Sequence, residues 1–162
     1  FGLFGYLFFN IYLKWGYSIL GGALTLSIMV LPLILRTTEE ALRSVSDTYR
    51  EGSFGLGAGK LRTVFRIVLP SAVPGILAGV ILAIGRIVGE TAALLYPAGT
   101  APQVADGLFS SGRTLAVHMY ALLNEGLYTE QAYATAVVLL VLVVCINALS
   151  SFAAKKAGVK EK

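Results

Sequence analysis

The sequence has little of what a soluble catalyst or a cross-linked domain is built from. Of 162 residues only 14% are charged, and there is one cysteine, one histidine and one tryptophan. A lone Cys145 excludes an internal disulfide, and its apolar surroundings give it a packing role. A lone His118, with no clustered ligand residues, excludes an imidazole-based metal centre and leaves the histidine an ordinary surface role. No serine with histidine, paired aspartates or His-Glu-x-x-His pattern falls in an apolar segment, which excludes an intramembrane enzyme. The net charge of +4 comes without a polar domain to present it, so nucleic acid is excluded as a partner. What remains is apolar: 56% hydrophobic residues and a mean hydropathy of +0.76 describe a membrane protein. The chain opens at Phe1 inside an aromatic run, with neither methionine nor a basic leader. It is therefore expected to begin partway through a longer protein, and no cleavable signal can be assigned.

The longest informative stretch is 71–95, where Arg86 and Glu90 are the only charges in a run long enough to cross about 30 Å of hydrocarbon. At about 100° per residue, Gly75, Gly79, Gly85, Arg86, Gly89, Glu90 and Ala93 share one side, with Leu82 the one large apolar residue among them. The glycines let another helix approach closely, so both charges face protein or water. Each charge costs about 2.5 to 3.5 kcal/mol at a helix centre, which argues for a function. Two readings are open: an ion pair at i, i+4 that locks helices together, and an anion site. In the second, the Arg86 guanidinium matches phosphate or carboxylate oxygens, and Glu90 holds it when the site is empty.

Charge distribution orients the rest. Arg36, Arg43, Arg50, Lys60, Arg62 and Arg66 lie between two apolar segments, and Lys155, Lys156, Lys160 and Lys162 follow a third. The stretch 96–131 has only Arg113 against Asp106, Glu125 and Glu130. The basic clusters are expected in the cytoplasm and 96–131 outside. Membrane helices are expected at about 18–35, 71–95 and 132–154. Phe1–Leu13 reads as the end of a truncated helix or a segment at the outer face, and Tyr12, Trp15 and Tyr17 as an interfacial belt.

Between the first two membrane helices, 37–70 predicts a cytoplasmic knob. Thr37 or Thr38 caps a helix over Glu39–Phe54, glycines 55, 57 and 59 break it, and a short helix over Lys60–Val68 leads to Pro70 and Pro74. Gly59-Lys60 is not a nucleotide loop, since Phe54 stands where a P-loop needs glycine and Leu61 where it needs a hydroxyl. Outside, Arg113–Asn124 predicts a short amphipathic helix closed by Gly126.

At Glu51 the chain resembles the permease subunits of ABC importers, whose signature runs E-A-A, three residues, G, nine residues, I-x-L-P. Glu51, Gly57, Ile67, Leu69 and Pro70 fall on that spacing, and Gly52 and Ser53 replace the two alanines. RTTEEALRSV at 36–45, RIVGETAAL at 86–94 and FGLFG at 1–5 are similar to the A-type permease subunit of the bacterial phosphate-specific transporter. Ser46 stands where members of that family often carry proline. The resemblance implies an all-α fold of type I importer transmembrane helices with cytoplasmic coupling helices. It assigns ATPase coupling to the signature residues and phosphate passage to Arg86 and Glu90. It also implies a second permease subunit, an ATP-binding subunit dimer, an extracytoplasmic phosphate-binding protein, and a bacterial inner-membrane location. No cofactor is expected on this chain, ATP being used by the partners. A permease for sulfate or molybdate, and a non-transporting assembly subunit, are the alternatives.

Overall fold

The computed structural model describes residues 1–126 and 128–156, with side chains up to Phe152; the tail lysines Lys160 and Lys162 lie outside the described residues. Among the described residues every regular element is helical. The helices are α1 (Gly2–Gly5), continuing as a π-helical turn over Tyr6–Tyr12, α2 (Ile19–Arg43), α3 (Asp47–Gly55) and α4 (Lys60–Thr63). A second π-helical stretch, Val64–Val68, leads into α5 (Leu69–Gly89), followed by α6 (Ala92–Leu95), α7 (Leu115–Glu125) and α8 (Thr129–Lys156). Three spans, Ile19–Arg43, Lys60–Gly89 and Thr129–Phe152, are long and apolar enough to cross a membrane, the most apolar 18 residues of each having mean hydropathies of 2.0, 2.4 and 2.5.

Contacts divide the chain into two units, Phe1–Leu31 with Gly85–Ile146, and Pro32–Ile84 with Asn147 onward. The first is centred on Leu26, Ala93, Leu94, Ala98 and Val117. α1 reaches α6 because Gly2 has no side chain, and a Cβ there would lie 2.7 Å from the Ala92 carbonyl oxygen. Asn10 is buried and donates to the carbonyls of Tyr96 and Pro97 at 3.4 and 3.2 Å, tying the aromatic N-terminal segment to the far end of α6. Thr114 caps α7 by accepting the Val117 N–H at 3.3 Å, and Gly126 ends it at φ +69°.

The second unit is centred on Ala41, Val45, Val68 and Ala72. The glycine side foreseen for the 71–95 helix is used here, against this chain's own α2. A Cβ on Gly75 would lie 2.7 Å from that of Ala41, and Gly79 packs on the Thr37 side chain. α8 differs from both, because only 6% of its most apolar stretch is buried. Cys145 is accordingly exposed, and the packing role expected for it within the chain is not what the structure shows.

Helix boundaries depart from the sequence reading at three places. α2 does not stop at Leu35; it runs through Thr37 and Thr38 to Arg43. Thr37 caps nothing, because its hydroxyl turns back to the carbonyls of Leu33 and Ile34 at 3.1 and 3.2 Å, a bond that leaves the helix free to continue. The cap belongs to Ser46, which accepts the Thr48 N–H at 3.4 Å and starts α3 at Asp47. The expected 39–54 helix is thus two helices with a corner at 44–46. Finally, α5 begins at Leu69, almost continuous with α4, and ends at Gly89, short of Glu90.

Candidate functional site

The residues to which the sequence reading assigns a function fall in two groups. The first is the end of α5. Arg86 is exposed, with Gly89 beside it open to space on its Cβ side. Among the described residues the ion pairs are Arg43 with Glu39 at 2.7 Å and Arg50 with Asp47, and Arg86 belongs to neither. Glu90 does not hold Arg86. The helix breaks at Gly89, so the four-residue spacing that would stack the two side chains is lost. The half-buried Glu90 carboxylate instead accepts the Ala93 N–H at 3.1 Å through Oε1. Thr91 precedes α6 without a side-chain capping bond, and Glu90 supplies that acceptor from one residue earlier.

α6 is therefore fastened at both ends, by Glu90 where it starts and by Asn10 where it leads into Tyr96 and Pro97. Asn10 was not foreseen. Its signal is faint but physical: one amide inside the apolar run FFNIY must find partners when buried. Its Oδ1 is buried without a partner among the described residues.

The second group surrounds the glycine turn 55–59. Of the signature residues, Glu51, Gly52 and Pro70 are exposed, Ile67 and Leu69 are half-buried, and Ser53 is buried at 5% exposure. Gly57 sits at φ +79° and donates to the Phe54 carbonyl at 2.9 Å, a left-handed position that a side chain would strain. Nothing lies within 4 Å of where its Cβ would be, so backbone conformation alone demands glycine there. Ser53 and Thr63 join their hydroxyls at 2.8 Å across the turn. Around it Leu56, Leu61 and Phe65 are 91%, 76% and 65% exposed, three large apolar side chains this unit leaves uncovered. Pro70 lacks an N–H, and the ladder just before it widens to the π form, with the Leu69 N–H reaching the Val64 carbonyl.

His118, on α7, has its pKa lowered from the ordinary histidine value, first by burial and then by the Arg113 cation, with Glu125 opposing. It belongs to neither group.

Compared with known proteins, residues 1–158 match the family model described as "Binding-protein-dependent transport system inner membrane component". The chain is 40% identical over 142 residues to the "Probable ABC transporter permease protein YqgI" of Bacillus subtilis, an alignment covering 80% of this chain and 48% of that one. It is 44% identical over 98 residues to the "Phosphate transport system permease protein PstA 2" of Mycobacterium bovis, covering 60% and 33%. With the "Phosphate transport system permease protein PstA homolog" of Mycoplasma pneumoniae it shares 36% identity over 160 residues, covering 94% and 25%. The chain thus spans half or less of the length of these relatives. No solved structure matches it.

Proposed function

The chain belongs to the family of inner-membrane components of binding-protein-dependent transport systems, and on that premise we propose that it forms part of the permease of an ATP-driven phosphate importer. A permease component of this family is a multi-pass plasma-membrane protein and not the ATPase. The substrate is proposed from the relatives whose names specify phosphate transport, and from one residue. Arg86 is an exposed guanidinium on a membrane-length apolar helix, without an acidic partner among the described residues. A cation so placed is costly unless an anion or water meets it, and its fork of donors fits a phosphate.

In this reading Arg86 compensates the anion's charge during passage. Glu90 keeps the start of α6 in place through Oε1 and turns its other oxygen toward a protonated oxygen of the substrate. The turn 55–59, with Glu51 through Pro70, docks on an ATPase subunit and passes its closure to the membrane helices. The remaining partners are a second permease subunit and an extracytoplasmic phosphate-binding protein, and the motion is alternating access. No cofactor is assigned to this chain.

The test is uptake of labelled phosphate by the full transporter in proteoliposomes with its binding protein, comparing the native protein with Arg86→Gln and Arg86→Lys. Loss of uptake in Arg86→Gln, with assembly intact and partial retention in Arg86→Lys, is expected. Undiminished uptake by Arg86→Gln removes the anion role. Excess sulfate or molybdate that suppresses uptake as phosphate does would shift the assignment to another oxyanion.

A further inference from the structure

α3 carries the signature Glu51-Gly52-Ser53, and two polar fastenings hold it, one on each side. Toward the preceding helix, Arg50 donates through Nη2 to the Leu42 carbonyl at 2.9 Å and pairs through Nη1 with Asp47. Leu42 lies in the last turn of α2, where carbonyls have no partner within the helix and a cation complements the helix dipole. Toward the following helix, the buried hydroxyls of Ser53 and Thr63 meet at 2.8 Å, and Thr63 Oγ1 donates in turn to the Gly59 carbonyl at 3.2 Å. With the Thr63 proton committed to Gly59, Ser53 is the donor to Thr63. The result is a short relay from α3, through Thr63, to the residue that opens α4.

Among the described residues, Ser53–Thr63 is the side-chain hydrogen bond that crosses this turn, beside the backbone bond from the Ala58 N–H to the Ser53 carbonyl at 3.1 Å. Gly52, Gly55, Gly57 and Gly59 have no atom within 4 Å of an added Cβ, so no packing bridges the loop at those positions. A glycine turn free of packing is a soft joint, and a load applied to α3 would dissipate in it. The Ser53–Thr63–Gly59 relay shunts the joint, and Arg50 ties the other end of α3 to α2.

We propose that Arg50, Ser53 and Thr63 are positioning residues for energy coupling: they fasten α3 to the helices before and after it, so that displacement of α3 is delivered to α2 and α5 together. This rests on the importer reading, in which α3 receives the displacement. It accounts for the serine at a signature position where the resemblance leads one to expect alanine. The extra hydroxyl has a buried partner ten residues on.

Ser53→Ala leaves Thr63 bonded to Gly59 but removes the bond from α3, and with it the fastening across the turn. Thr63→Val, which keeps the shape, strands the Ser53 hydroxyl and disconnects the relay at its middle, while Thr63→Ser keeps it. The measurement is phosphate transported per ATP hydrolysed by the reconstituted full transporter, at equal amounts of assembled complex. Expected are a near-native ratio for Thr63→Ser, and a fall of about fivefold or more for both Ser53→Ala and Thr63→Val, the factor that a change of roughly one interaction's strength produces in an equilibrium. Arg50→Gln should lower the ratio as well.

A native ratio in both Thr63→Val and Arg50→Gln would overturn the proposal while leaving the importer reading in place. Absence of phosphate uptake by the native complex would instead remove the importer reading itself. If Thr63→Val fails to assemble, the Ser53→Cys/Thr63→Cys pair decides. Cross-linking should hold the ratio near native, and reduction in place should lower it. An unchanged ratio on reduction overturns the proposal.

Discussion

At the scale of the residue, the informative side chains are those whose partners differ from the ones their spacing suggests. Glu90 follows Arg86 by four residues, yet its carboxylate serves the Ala93 N–H. Glu90→Gln retains an acceptor and should leave α6 intact. Glu90→Ala should weaken it by about 0.5 to 2 kcal/mol, the range for losing a capping side chain. Amide exchange at Ala93 checks this: faster in the alanine variant, unchanged in the glutamine variant. Gly57 makes a separate prediction. Its φ of +79° means that Gly57→Ala costs about 1 to 2 kcal/mol through backbone strain alone, readable as a lowered unfolding midpoint. Because space around it is open, a bulkier residue should cost little more than alanine. A steep dependence on side-chain size would show that something covers the turn in the assembled protein. Both residues were legible in the sequence as candidates, whereas their partners were not. Capping by Glu90 depends on a helix break at Gly89, and a glycine in an apolar run does not announce whether it will end a helix or pack against one.

At the scale of the element, apolar runs located the spanning helices and the signature spacing located the turn. The ends of helices were harder to read. Thr37-Thr38-Glu39-Glu40 has the composition of a helix start, and the structure runs α2 straight through it because a threonine hydroxyl satisfies itself on the preceding turn. The true corner is Ser46, whose φ of −55° is one a proline would also adopt. That explains how serine takes the place of the proline common in the resembling family. The π-helical stretch Val64–Val68 ahead of Pro70 left no mark on the hydrophobic pattern. Pro70→Ala would supply the missing N–H, and is expected to tighten this stretch toward a regular α ladder and slow amide exchange across 64–68. Unchanged exchange there would mean that the wide turn is held by packing instead of by the proline.

At the scale of the whole molecule, the two units have separate cores, and each can be probed by itself. His118 belongs to the first. Its lowered pKa means that the unfolded chain takes up a proton before the folded one, so stability is full above about pH 6.5 and is lost as pH falls below it. Thermal unfolding followed between pH 7.5 and 5 should show this loss, and His118→Gln should flatten it. The same separation bears on biosynthesis. α5 carries Arg86 and leans on α2 through Gly75 and Gly79, whereas only 6% of α8's most apolar stretch is buried, and that stretch has the highest mean hydropathy of the three. As the chain leaves the ribosome, α8 can partition from the translocation channel into lipid on its own hydrophobicity, while α5 gains from finding α2 already in place. Exchanging α8 for an unrelated apolar helix of equal length should therefore leave insertion unaffected, and moving α5 ahead of α2 in the chain should not.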